Sequence, residues 1–203
     1  MSRTQASARR LAWRLIAAGA LLPVAVGAQA TQTRPATTTA QAGGQPIDQE
    51  YTAKIREYLS DPRISTELVD HLPASSTVPS PLKIHCRIVG TPGELTRAAD
   101  IHRYFKAIAD ASPRARYWTI GKSEEGRDMV VLAIADEATL RDLDRYKGYL
   151  NQLTDPRRTT DAQAQQLVKT AKPIYYLTSG MHSPETGGPE MLMELAYRLV
   201  VQD

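Results

Sequence analysis

Met129–Ala135 is seven residues long and carries no polar side chain, and nothing else in the chain limits its fold as much. A strand wet on one face alternates polar and apolar positions. A short, uniformly apolar run reads as a strand covered on both faces. Ala115–Ile120 is a second strand-like run, and the segment from Gly121 to Arg127 joins the two with glycines at 121 and 126. That pattern predicts a hairpin with a glycine-bounded turn. Helical patterns lie on either side. Thr91-Pro92-Gly93-Glu94 has a capping threonine, proline at the first helical position and a glutamate after it, and so predicts a helix start. Ala98, Ile101, Phe105 and Ile108 then form one apolar face, and Ser112-Pro113 ends the helix.

After the hairpin, Leu143, Tyr146, Leu150 and Leu153 predict a helix over Leu140–Leu153, broken by Asp155-Pro156. Thr160 and Gln163 form a capping box, which opens a further helix with Leu167, Val168 and Ala171 turned inward. Lys172-Pro173 closes it. Ile174–Leu177 then reads as another buried strand, and Pro189 as the first turn of a last helix with Met191, Leu192, Leu195, Leu199 and Val200. Strands alternating with helices predict an α/β fold, with a mixed central sheet and helices on both faces.

The first third of the chain has a different character. Residues 1–14 hold Arg3, Arg9, Arg10 and Arg14 and no acid; a short apolar stretch, Leu15–Val26, and the small-residue pattern Ala28-Gln29-Ala30 follow. This reads as a signal peptide cleaved after Ala30, and the apolar run is shorter than the roughly 18–20 residues of a membrane span. The expected location is therefore secreted or periplasmic, with no stable membrane anchor after cleavage. The leader carries four arginines and no carboxylate, so its removal takes the formal net charge from +3 to −1. No basic field remains to recognise nucleic acid. Residues 31–47, rich in Thr, Ala, Gln and Gly, read as a flexible linker. Residues 48–94 read as an N-terminal extension, with a helix over Asp48–Leu59 and an irregular stretch over Leu72–Pro81. The single cysteine, Cys86, cannot form an internal disulfide and reads as a small buried hydrophobe.

Chemistry is concentrated in Gly180-Met181-His182-Ser183-Pro184-Glu185-Thr186. Imidazole and carboxylate are two of the three side-chain types that bind catalytic zinc, and here they stand three residues apart at the end of a predicted strand. In an α/β sheet, ligands bind beyond the carboxyl ends of the strands, where His182 and Glu185 lie. The alternative is a loop ion pair or a helix-capping carboxylate. His71, His85 and His102 have no helpful spacing to the pair, and Glu190 sits too close along the last helix to be assigned as a base. Glu124-Glu125 reads as a solvated turn and Arg127 as structural.

Two blocks together resemble the zinc carboxypeptidase family. Arg116-Tyr117-Trp118-Thr119-Ile120-Gly121-Lys122-Ser123-Glu124-Glu125-Gly126-Arg127, followed by an apolar strand, is similar to that family's first hairpin. Tyr175-Tyr176-Leu177-Thr178-Ser179-Gly180-Met181-His182-Ser183-Pro184-Glu185 resembles its H-x-x-E strand end. The resemblance covers about residues 95–203, which makes them the first part of a catalytic domain truncated at its C-terminal side. It implies Zn2+ as cofactor, His182 and Glu185 as two metal ligands, and hydrolysis of a C-terminal peptide bond in a peptide or protein substrate. It places the third ligand, the general base and the substrate-carboxylate arginine beyond Asp203. Pro184 stands where pancreatic-type members have an arginine. The isolated chain is accordingly expected to be inactive and to bind zinc weakly. Rival readings are a cell-wall peptide amidase or deacylase of the same fold, or a secreted non-catalytic binding module.

Overall fold

The computed structural model describes residues 44–202. The leader read at 1–30, and most of the linker read at 31–47, lie outside these residues. The chain order is α1 (Gln49–Tyr58), a single 3-10 turn (Pro62–Ile64), α2 (Pro81–His85), α3 (Ala98–Ala111), β1 (Ala115–Lys122), β2 (Asp128–Ile134), α4 (Glu137–Arg141), α5 (Leu143–Leu153), α6 (Asp161–Val168) and α7 (Gly187–Val201). The architecture is α/β, with helices against an antiparallel β1–β2 pair.

The hairpin forms where its residues predict. Ala115 pairs with Ile134 and Lys122 with Asp128, with a bulge between Thr119 and Gly121. Its turn closes through Ser123 N–H to the Arg127 carbonyl (2.8 Å) and Gly126 N–H to Ser123 (2.9 Å), with Gly126 at φ +76°. Lys122 and Asp128 pair across its base at 2.7 Å, and Arg127 pairs with Glu125. The apolar run of β2 is only half-buried. Leu132 and Ile134 pack on the core, whereas Val131 and its cross-strand neighbour Trp118 lie on the open face.

The core is assembled around α7. Met193, Ala196, Tyr197 and Val200 recur at i, i+3, i+4 and i+7 and are all buried. Ile101, Tyr104 and Ile108 of α3 share this cluster with Tyr51, Leu72, Val78 and Ile88. The segment at 48–94 therefore contributes to one continuous core, with each fully buried apolar side chain worth about 1.5–3 kcal/mol. The contact face of α7 is rotated from the one its sequence suggested, and Met191 and Leu199 are half exposed. The reason is nonlocal: the helix is apolar most of the way round, so its neighbours choose the face.

Polar groups tie the early segment to the same helix. The Glu194 carboxylate accepts from Arg198 Nε (2.9 Å) and from the Tyr51 hydroxyl (3.0 Å), and that hydroxyl accepts from Val89 N–H (3.3 Å). The Tyr197 hydroxyl donates to the Pro73 carbonyl (2.9 Å), and Tyr104 donates to Pro79 (3.2 Å). At the C-terminus of α7, the Arg114 guanidinium donates to Leu199 (3.2 Å) and Gln202 (3.1 Å), satisfying carbonyls the helix leaves without partners.

Several local expectations are corrected. Thr91-Pro92-Gly93-Glu94 is a turn: Glu94 N–H bonds to the Thr91 carbonyl (3.2 Å) and Gly93 sits at φ +79°. The Thr91 hydroxyl donates back to Ile88, so it caps nothing, and α3 starts at Ala98. The helix expected over Leu140–Leu153 breaks at Asp142 into α4 and α5. The capping box at Thr160 and Gln163 is present, but α6 buries none of its residues and Val168 is exposed. Cys86 is exposed in a left-handed conformation (φ 57°) at the end of α2, so it is not a core residue. Among the described residues no helix is long and apolar enough to cross a membrane.

Tyr51, Tyr104 and Tyr197 yield a pH prediction. Burial raises all three hydroxyl pKa values above the ordinary one, that of Tyr197 to about 12. For Tyr51 the adjacent Glu194 carboxylate adds to this. A raised folded pKa favours the protonated form, so this stabilisation is whole below about pH 10 and is lost as pH climbs toward the folded values. Ultraviolet titration of tyrosinate should show three of the nine tyrosines ionising late, together with alkaline unfolding.

Candidate metal centre

Residues after α6 reach the His182–Glu185 loop over an open path. Lys172 Nζ anchors its start, bonding Asp136 (2.9 Å) and the Thr139 hydroxyl and lying 5.2 Å from the centre of the Tyr146 ring. The hydroxyl of Thr139 and then the Lys172 ammonium hold the Asp136 carboxyl well below the usual range. Beyond this anchor the expected strand Ile174–Leu177 does not form. Its four residues are exposed and make no backbone hydrogen bond among the described residues. Apolar content can make a run suitable for a sheet, but pairing needs a neighbouring edge, and none lies alongside it.

Order returns at Ser179. Gly180 is at φ +74°, and a Cβ there would stand 2.9 Å from Pro189 Cγ. A Cβ on Gly188 would stand 1.6 Å from Ser179 Oγ and 2.9 Å from Ser179 Cβ. The two glycines therefore let the loop cross directly over the first turn of α7. His182 and Glu185 follow in a tight turn, with Glu185 N–H bonded to the His182 carbonyl (3.0 Å) and Thr186 N–H to Pro184 (3.0 Å).

Both predicted site residues are brought together. His182 Nδ1 lies 2.6 Å from Glu185 Oε1, and the His182 N–H donates to Glu185 Oε2 at 3.2 Å. The His182 side chain first, and its backbone N–H second, hold the Glu185 carboxyl below its ordinary value. Their side chains are 71% and 50% exposed, so the donor atoms face solvent and can be reached. At 2.6 Å the pair is hydrogen-bonded, closer than the roughly 3.3 Å between neighbouring donors on a tetrahedral zinc, so the two would part slightly to admit a metal. An imidazole nitrogen and a carboxylate oxygen, adjacent and accessible, fit two positions of such a site.

No third donor joins them: among the described residues no group of three His, Cys, Asp or Glu could hold a metal. The other histidines lie apart from the pair. His71 pairs with Asp70 (2.5 Å). His85 lies 5.5 Å from the Tyr104 ring, and burial, with Arg87 and Arg103 nearby, lowers its pKa. His102 is on α3 and half-buried.

One carboxylate close by has a role that its local sequence did not disclose. Glu190, only 6% exposed, accepts from Thr96 N–H (2.8 Å) and Gly90 N–H (3.3 Å), with Arg87 at 3.7 Å. An acid in the first turn of a helix is favourable to the dipole and so carries no signal of this role in the sequence; its partners are about a hundred residues earlier.

The structure thus has an H-x-x-E loop ahead of a helix, with an antiparallel hairpin upstream of it. The zinc carboxypeptidase family model matches residues 101–203, half of the chain, and the chain belongs to that family. Comparison with curated proteins and with solved structures produced no match.

The glycine contacts give a controlled test. Gly188→Ala should displace Ser179 and cost about 1–3 kcal/mol in denaturant unfolding, as overpacking does. Gly187→Ala, where nothing lies within 4 Å of the added methyl, should leave the midpoint nearly unchanged.

Proposed function

We propose that this chain carries part of the zinc site of a metallocarboxypeptidase, with His182 and Glu185 as two of its protein ligands. The observation that supports the reading most is the 2.6 Å approach of His182 Nδ1 to Glu185 Oε1 on an exposed loop, within the span matched by the zinc carboxypeptidase family. The substrate class is a peptide or protein with a free C-terminal carboxylate, and nucleic acid is not a partner.

Zinc bound by these two side chains supplies Lewis acidity toward the scissile carbonyl. The protein's own contributions are separate. His182 offers a ring nitrogen, and Glu185, whose carboxyl is held below its ordinary pKa, offers a charged oxygen throughout the neutral range. The crossing of Ser179 over Gly188 fixes where that pair stands. The remaining ligand, the base and the group that receives the substrate carboxylate belong, in this reading, to residues other than those described. We also propose export through the leader at 1–30, which makes the enzyme secreted or periplasmic.

Two donors make a weak site, so the chain itself should bind zinc with low affinity in calorimetric titration. His182→Ala and Glu185→Ala should each weaken that binding by at least about tenfold, the loss expected of an interaction with a charged group. Unchanged affinity in both variants would sink the assignment. Carboxypeptidase action is tested with the longest natural chain that contains this sequence. Peptides with a free C-terminus should be cleaved and their C-terminal amides spared, and a chelator should stop the reaction.

A further inference from the structure

The loop that bears His182 and Glu185 has few neighbours before Ser179, so something else must hold its exit. The exit is Thr186-Gly187, which runs straight into α7. On the far side of that first turn lies the segment 87–96, and the two segments share a cavity of about 290 Å³ lined by Val89, Gly90, Leu95, Thr186, Gly187 and Met191. Glu190 joins the two walls. Its carboxylate is nearly fully buried, sits two residues beyond the Ser179–Gly188 contact, and takes backbone N–H groups from both Gly90 and Thr96. Arg87 adds charge to the same carboxylate and also donates to the Thr96 hydroxyl (2.5 Å). A buried carboxylate is costly unless fully bonded, and this one is satisfied only while segment 87–96 is docked.

We propose that Glu190 is a positioning residue for the metal loop: through its bonds to Gly90 and Thr96 it clamps the first turn of α7, and with it the Ser179–Gly187 loop, against segment 87–96. The inference rests on the reading of His182 and Glu185 as ligands. It assigns the N-terminal extension a part in that site, though the extension contributes no ligand. Removing the carboxylate leaves two backbone donors without their acceptor and the Arg87 guanidinium without its counter-charge, and the turn that the loop leans on loses its brace.

The test uses the whole metal-free chain and three variants, Glu190→Ala, Glu190→Gln and Tyr197→Phe. The last removes a buried hydrogen bond to Pro73 from the same helix, away from the loop, and so controls for general destabilisation. Backbone order parameters from NMR relaxation should fall from about 0.85 to below about 0.6 over residues 179–187 in Glu190→Ala. Glu190→Gln, which keeps an oxygen for the Thr96 N–H, should restore most of that order, and Tyr197→Phe should not disturb it. Calorimetric zinc affinity should weaken by at least about tenfold in Glu190→Ala and stay near wild type in Tyr197→Phe. Loosening confined to residues 90–96, or equal loosening of the loop in Tyr197→Phe, would overturn the proposal. A wild-type chain that takes up no zinc would instead sink the ligand reading, and the order parameters would still decide the role of Glu190.

Discussion

α7 carries two carboxylates into the interior, and neither can stay there without partners from elsewhere in the chain. Glu194 is met within its own helix by Arg198 and across the core by Tyr51; Glu190 is met by Gly90, Thr96 and Arg87. A buried acid with one partner removed is far costlier than the bond it made is worth, because its charge is left uncompensated. The early segment must therefore dock on α7 in one register, with Tyr51 over Glu194 and Gly90 over Glu190. The apolar contacts of Leu72, Val78 and Ile88 supply the driving force for docking, and the acids select the register.

Elements whose determinants are local could be read directly from the residues. The hairpin is one: a glycine at φ +76° in its turn and apolar strands on either side specify it without help from the remainder of the chain. The Thr160–Gln163 box is another, since both of its bonds lie within four residues. Thr91-Pro92-Gly93-Glu94 misled because the same residues serve two structures. Proline followed by glycine suits a turn at least as well as a helix start, and the Gly93 conformation belongs to the turn. The buried face of α7 was not legible either. Met191 and Leu199 are as apolar as the residues that are buried, and only the position of α3 and the early segment distinguishes them.

Ile174–Leu177 shows the same limit from the other side. Its composition is that of a buried strand, yet it is exposed and unpaired. A helix satisfies its backbone within itself, but a strand depends on a second edge, so no property of four residues can establish one. The pairing of His182 with Glu185 was legible, because an H-x-x-E spacing in a tight turn brings the two side chains together locally. Glu190 was not, because its meaning depends on two backbone N–H groups that are distant in sequence.

These observations separate two tasks that could have fallen on the same residues. His182 and Glu185 are largely exposed, and an exposed ion pair contributes little to stability. Their mutual bond is therefore a poor device for holding the loop in place. In the proposed site, placement falls instead to the close crossing of Ser179 and Gly188 and to the buried carboxylate of Glu190. In the proposed site, a ligand pair that also carried the structural role would release the loop on binding a metal, at the moment it needed to be fixed. With the roles divided as proposed, Glu185 would turn from imidazole to metal while the first turn of α7 stays where Gly90 and Thr96 bond it.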